Sequence, residues 1–365
     1  MQTWYTTITD IQPIPNKDRI VLATVNGYQS IVGAGTYNVG TPVVYISEGS
    51  IVPDALQEEL GLTGRLAGSA KNRVKAIRMG GVLSQGIICR PVAVYDRDDD
   101  MSDTDLDALL GITKHEAAIP IHLSGKVGRP NGNAPIVPMW DVENIKKLRH
   151  QRWTHDPVSG ETIGEPWWAD PFEGQRVRVT EKLHGTNFAV HLNVGDDNVY
   201  VYSKGLGQKG HILLEDDTNT YWRALKMYPQ IVETMRSWQH VASVTVRGEI
   251  IGKGIQDLDY GIGFDLALFG VEYRWHDGVE GFNDPHIIFD GTVPTVPVLY
   301  EGPYSHRLTE LLSEGQNIHG VPGTHVREGV VCMGLNQFRR PDGNRNVAKF
   351  INPDYLTRPK GTEYN

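Results

Sequence analysis

Residues 18–33, DRIVLATVNGYQSIVG, set an Asn-Gly pair between two runs in which apolar and polar side chains alternate. A period of two makes one face of a strand apolar, and Asn26-Gly27 accepts the positive φ angles of a two-residue turn. The stretch therefore predicts a β-hairpin. Similar short runs follow in TPVVYIS (41–47), RVKAIRM (73–79) and GIICRPVAVY (86–95). Forty glycines and twenty-one prolines punctuate the chain, which suits many short strands better than long helices. Five or so strands over residues 1 to about 110 fit a small closed barrel, with a short helix, DLDALLGI, after it.

At 365 residues the chain is long enough for two domains. SGKVGRPNGNAPIVP (124–138) is rich in Gly, Pro and Asn and marks a linker. DVENIKKLRHQ (141–151) reads as a short helix, and from about residue 165 a second strand-rich region begins. Its one long helical stretch, NTYWRALKMYPQIVETMRSW (219–238), is broken near Pro229. SVTVRGEI, DLALFGVEY and EGVVCM read as strands around it. Many short strands with a few helices among them fit the α+β class.

Composition narrows the setting. Cys89 and Cys332 have no metal-ligand spacing, and a distant pair is weak evidence for a disulfide, so a reducing, cytoplasmic location is expected. MQTWYTTITD lacks the pattern of a signal peptide, and no apolar run approaches membrane-spanning length; no membrane partner is expected. The formal net charge of −9 argues against nonspecific nucleic-acid binding. Yet seven aspartates lie in YDRDDDMSDTDLD (95–107), which reads as a solvated turn and helix start with Ser102 or Asp103 as cap. Basic residues gather elsewhere, in KNRVKAIR (71–78) and RRPDGNR (339–345), so global charge does not decide the partner.

GLGQKG (205–210) matches a dinucleotide fingerprint in letters only, because HILLEDDTNT after it is a poor helix start. The thirteen histidines form no zinc pattern. TEKLHGTNFAV (180–190) is different: it sets Lys182 at the end of an alternating run, beside a histidine and a glycine. An isolated K-x-x-G is most often a strand-end lysine with its head in water. Here it opens an ordered series: YSKG (202–205), VRGEIIGKGIQ (246–256), LALFGV (266–271), REGVV (327–331) and VAKFI (347–351).

This order and spacing resembles the covalent nucleotidyltransferases, the polynucleotide ligases and capping enzymes, over about 190 residues. The resemblance implies a nucleotidyltransferase (adenylyltransferase) domain of antiparallel sheets with flanking helices. It also implies that Lys182 attacks the α-phosphate of ATP, expels pyrophosphate and carries AMP. An ordinary lysine, with a pKa near 10.4, is deprotonated in only about one molecule in a thousand at neutral pH, roughly 4 kcal/mol from the reactive form. A nearby cation, lysine or metal, must disfavour its charge. Lys349 matches the family lysine that stabilises the α-phosphate, or else is a strand-edge surface lysine. Glu249 matches the glutamate on the ribose hydroxyls, and Glu328 the carboxylate that holds Mg²⁺ or Mn²⁺. Phe269 matches the aromatic that stacks on adenine; core packing is its plain alternative. Glu181 is a candidate for the adenine edge, or a solvent-facing strand residue. Gly185 would let the backbone approach the nucleotide, and Lys204 stands in the second motif.

K-L-H-G-T-N, with His184 between lysine and glycine, is similar to the RNA ligase 2 type rather than the K-x-D-G of DNA ligases. His184 would then serve the later steps, if it is more than a turn residue, and Asn187 would lie near sugar or phosphates. The first hundred residues resemble the OB module of tRNA-binding proteins, found before the ligase domain in RNA ligases called family 5. Arg73, Lys75 and Arg78 are candidates for its phosphate track, or an ordinary basic strand face. Three positions depart from the family pattern: Val347 replaces the first lysine of K-x-K, Gly270 follows Phe269 where aspartate is common, and Lys204 stands for arginine. Sixteen residues follow Lys349, too few for a C-terminal OB domain. The expectation is an N-terminal OB-fold domain (1–123), a linker (124–138) and a ligase domain (139–365). The chain would be a monomeric ATP-dependent RNA ligase joining 3′-OH and 5′-phosphate RNA ends, including duplex-held nicks, in RNA repair. A DNA nick ligase and an inactive RNA-binding OB protein are the alternatives.

Overall fold

Strand Lys17–Val25 pairs with Tyr28–Gly33, and Asn26 and Gly27 between them hold φ angles of 46° and 76°. Both are positive, as the hairpin signal requires. The computed structural model describes residues 2–95, 104–115, 126–128, 135–138, 140–155, 162–359 and 361. Two compact units emerge, residues 1–116 with 146–169 and residues 117–145 with 170–365.

In the first unit Asp10–Ile14 completes a three-stranded sheet with the hairpin, and Thr3–Thr7, Pro42–Ile46 and Ile87–Cys89 form another. The run VVYI is apolar at every position because its strand is covered on both faces. Val43 and Tyr45 enter one core with Val25 and Tyr28; Val44 and Ile46 enter a second with Val52 and Leu106. Burying each such side chain contributes on the order of 1.5–3 kcal/mol.

Several expected elements change. RVKAIRM is a strand only over Ile77–Met79, while Arg73 is tied by isolated bridges to Ile51 and Ala67. VAVY is helix Val92–Tyr95 rather than strand; Pro91, without an N–H, cannot continue the ladder. The helix after it runs Leu106–Leu110 and is capped by Asp105, whose side chain accepts from the Ala108 N–H at 3.2 Å. Ser102 and Asp103, the expected caps, lie outside the described residues. The helix expected over 141–151 is reduced to Ile145–Leu148, followed by a hairpin of His150–His155 with Thr162–Ala169. That hairpin belongs to the first unit. The expected linker is described only in part, and there Val127–Gly128 forms an edge strand of the second unit.

Among the described residues the second unit holds two antiparallel sheets. The larger has seven strands in the order Val127–Gly128, Ile212–Leu213, Tyr200–Ser203, Thr186–Asn193, Ser243–Gly252, Phe264–Arg274, Glu280–Asn283. The smaller has four, Val298–Pro303, Arg176–Lys182, Gly329–Gly334 and Val347–Ile351. Helices Thr220–Met227 and Gln230–Ser237 meet at Pro229, as the sequence predicts. Asn219 caps the first, accepting from the N–H groups of Tyr221 and Trp222 at 3.0 and 3.2 Å. Tyr221, Leu225, Ile231 and Met235 pack there with Val190, Val244 and Val246 of the large sheet. GLGQKG forms a 3₁₀ turn at Gly207–Lys209, not a helix start. No described helix is long and apolar enough to cross a membrane.

Candidate active site

Strand Arg176–Lys182 belongs to the small sheet and Thr186–Asn193 to the large one, so Leu183–Gly185 carries the chain from one sheet to the other. This crossing lies in a cleft of about 350 Å³ lined by Lys182, His184, Gly185, Asn187, Lys204, Glu249, Phe269, Glu328 and Lys349, with Glu181 in the wall. Sequence positions spread over more than 160 residues therefore share one cavity.

Register explains the convergence. Lys182 pairs with Gly329, which brings the preceding residue, Glu328, within reach: Lys182 Nζ lies 2.6 Å from Glu328 Oε1. Val331 pairs with Lys349, so the second lysine enters from the neighbouring strand. Asn187 sits opposite Glu249 in the large sheet, and both face the cleft. Lys204 follows the adjoining strand end. Phe269 is half-buried: it lines the cleft and also packs on the core that holds Leu183, Ile251 and Tyr260, so core packing leaves part of it facing the cleft.

One alternative is corrected. Glu181 is 2% exposed, not solvent-facing. Its carboxylate accepts from the backbone N–H groups of Ile318 (3.0 Å) and His319 (2.8 Å), with Arg327 Nε at 4.0 Å, so the side chain braces a loop. Burial raises its pKa, opposed by those N–H donors and Arg327. At Gly185 the close approach is to protein: a Cβ there would lie 2.0 Å from the Ile250 carbonyl oxygen. The glycine lets two strands come together at the crossing.

His184 is 5% exposed and both ring nitrogens are engaged. Nε2 lies 2.8 Å from Asp257 Oδ1 and Nδ1 lies 2.9 Å from the Tyr355 hydroxyl, while its backbone N–H donates to Tyr260 Oη at 2.6 Å. Arg358 donates to both Asp257 oxygens, at 2.9 and 3.0 Å, and stacks 3.7 Å over the Tyr355 ring. None of these four partners was visible as a motif; Tyr355 and Arg358 follow the last motif in a short helix and its end. Arg73, Lys75 and Arg78 lie in the first unit, where Arg73 is half-buried and Lys75 and Arg78 are exposed.

The cleft shifts its ionisable groups. Burial pushes Lys349 down to about 8, helped by the charge of Lys182 and opposed by Asp141 and Glu328. Burial pushes Glu249 up to about 7; Lys182 and Lys204 oppose the shift and Glu328 adds to it. Glu249 thus binds its proton more tightly when folded, so its share of stability is present below about 4.5 and is lost as pH rises through about 7. Glu249→Gln is expected to flatten the melting temperature between those pH values, read by calorimetry. An unchanged pH slope would contradict the assignment.

A divalent cation fits one atom well. Glu328 Oε2 is buried and has no hydrogen-bond partner among the described residues, while Oε1 is taken by Lys182. Among the described residues no cluster of three or more His, Cys, Asp or Glu forms a ready cage. One carboxylate completed by phosphate oxygens and water is a common pattern for Mg²⁺.

The fold and this cavity define an OB-type unit joined to a ligase-type catalytic unit. Residues 175–351 match the RNA ligase family, and residues 4–92 match the PHA02142 OB-fold domain. The match to the RNA ligases thus covers every motif residue of the cleft, from Lys182 to Lys349. Among solved structures it resembles a lysine-to-alanine variant of Naegleria gruberi RNA ligase with ATP and Mn, with a TM-score of 0.73, 23% identity and 98% of each chain covered. The same enzyme as a lysine-to-methionine variant with AMP and Mn gives a TM-score of 0.71 and 23% identity over 97% of this chain and 98% of that one. With PPi it gives 0.70 and 22%, over 97% of each. No curated protein sequence matches the chain significantly.

Proposed function

We propose that the chain is an ATP-dependent RNA ligase that joins 3′-OH and 5′-phosphate ends through a lysyl-AMP intermediate on Lys182. The carrying observation is the meeting of Lys182, Glu328, Glu249 and Lys349 in one cleft, with the Lys182 amine held 2.6 Å from Glu328. The relatives solved with ATP, AMP and Mn support nucleotide and metal as its ligands. Glu328 would hold the metal, Mg²⁺ or Mn²⁺, which supplies charge neutralisation at the phosphates.

In the first step the Lys182 amine, having lost its proton, forms a P–N bond to the α-phosphate. The bond to the β-phosphate oxygen breaks and pyrophosphate leaves. Lys349 and Lys204 stabilise the negative charge that gathers on the α-phosphate oxygens. Lys349, shifted to about 8, also makes a second positive charge on Lys182 less favourable. Glu249 and Asn187 face the ribose, and Phe269 offers a ring to adenine. AMP then passes to the RNA 5′-phosphate, and attack by the 3′-OH releases it. His184 serves these later steps in its held orientation. We assign residues 1–123 to RNA binding, with Arg73, Lys75 and Arg78 on its phosphate track, 124–138 to a linker and 139–365 to catalysis. The protein acts as a cytoplasmic monomer in RNA repair.

Incubation with α-labelled ATP and Mg²⁺ or Mn²⁺ is expected to label the protein covalently. Nicks carrying a ribose at the 3′-OH end should then be sealed at least about tenfold faster than those with a deoxyribose. No label with either metal would favour an RNA-binding protein without turnover; equal sealing of both nicks would favour a DNA ligase.

A further inference from the structure

The basic run RRPDGNR contributes a residue that the proposed chemistry leaves unused. Arg345 precedes strand Val347–Ile351, and Arg345, Val347 and Lys349, at alternate positions, all line the cleft. Val347 supplies no charge on this side. Arg345 supplies one, two residues earlier.

Its setting is built. The guanidinium carbon lies 3.7 Å from the centre of the Trp140 ring. Trp140 is itself fixed: its Nε1 donates to Glu272 Oε1, and its ring lies beside Phe269 and Phe282 at 5.8 and 5.7 Å. Gly270 makes room for it, since a Cβ there would come within 2.7 Å of the indole. This accounts for glycine after Phe269.

The neighbouring charges are otherwise engaged. Glu272 also accepts from Arg247 Nε at 2.8 Å, and Arg247 Nη2 donates to the Pro138 carbonyl at 2.7 Å. Arg340 pairs with Glu143 and Asp342. Among the described residues, the Arg345 guanidinium makes one hydrogen bond, a long 3.5 Å contact to the Asp141 carbonyl. Most of its N–H donors therefore remain for a ligand. Burial opposes its charge, followed in the same sense by Arg247 and Arg339, with Glu272 and Asp141 opposing. An anion that replaced the missing partners would relieve that cost.

We propose that Arg345, stacked on Trp140, is a phosphate-binding residue of the cleft. The planar fork suits two phosphate oxygens at once. Lys349, Lys204 and Lys182 line the same cavity, so the ligand is a phosphate group adjoining the reacting one. It comes either from the diphosphate portion of ATP or from the 5′-phosphate of RNA. The inference rests on the ligase reading for what enters the cleft, but its test does not need turnover.

Calorimetry on the full chain with Mn²⁺ would measure binding of inorganic pyrophosphate and, separately, of a 5′-phosphorylated RNA oligonucleotide. Arg345→Ala is expected to weaken one of them about tenfold or more. Loss confined to pyrophosphate assigns Arg345 to ATP; loss confined to RNA, absent when the oligonucleotide carries a 5′-hydroxyl, assigns it to the RNA end. Arg345→Lys, which keeps a cation but not the fork, should recover only part of the affinity and covers the case in which the alanine variant does not fold. If both ligands bind either folded variant within about twofold of the wild type, Arg345 only staples Trp140 and the proposal fails. Failure of the ligase reading would show separately, as wild-type protein that takes no label from ATP.

Discussion

Lys182→Arg is expected to abolish covalent labelling by ATP, a loss of at least about four orders of magnitude in rate, while the protein stays folded. The arginine keeps a positive charge opposite Glu328, so the ion pair survives. It does not offer a free amine, because a guanidinium stays protonated. Lys182→Ala should lose label equally. It also leaves Glu328 without its 2.6 Å partner, at a cost of about 1–3 kcal/mol. The pair of variants separates chemistry from stability: label retained in either would remove Lys182 from its assigned role. Pre-adenylylated RNA, which bypasses the first step, should still be sealed by the arginine variant if the rest of the cleft is intact.

Lys349→Met should move activity and stability in opposite directions. A charged amine beside Lys182 in a buried site is costly, which is why its pKa falls to about 8. Removing it is expected to stabilise the unliganded chain by on the order of 1 kcal/mol, seen as a melting temperature a few degrees higher at neutral pH. In the folded chain the lysine loses its proton near 8 rather than 10.5, so wild-type stability should rise across that interval and the variant's should not. Enzyme–AMP formation should drop by about 10²–10³, the usual scale for deleting a group that meets developing charge. A lower melting temperature together with normal labelling would sink both halves of the argument.

What could be read in the residues, and what could not, divides along sequence separation. The Asn26-Gly27 turn, the Pro229 break and the strand character of 243–250 depend on neighbours in the chain, and period and punctuation expose them. The Lys182–Glu328–Lys349 set was reachable because each member sits in its own short motif, although the contact itself spans 146 residues for the first pair. The burial of Glu181 was not legible because its partners, the N–H groups of Ile318 and His319, lie in a loop 137 and 138 residues away with no recognisable pattern. The Ile250 carbonyl against Gly185 could not be read from the residues, since only the packed sheets bring it there. Pro91 ended a strand that apolar character alone would have continued. Trp140 offered no signal: a lone tryptophan just after a linker-like stretch does not announce that it underlies an arginine 205 residues later.

The ring of His184 is held by Tyr355 and, through Asp257, by Arg358, residues that lie 171 and 174 positions further along the chain. This ordering has a consequence for synthesis. On the ribosome, Lys182 and the turn beside it are made about 170 residues before the groups that lock that turn. The reactive loop thus receives its final brace only after the strands that carry Glu249 and Lys349 have been synthesised, so translation itself keeps the nucleophile immature until every motif of the cleft exists.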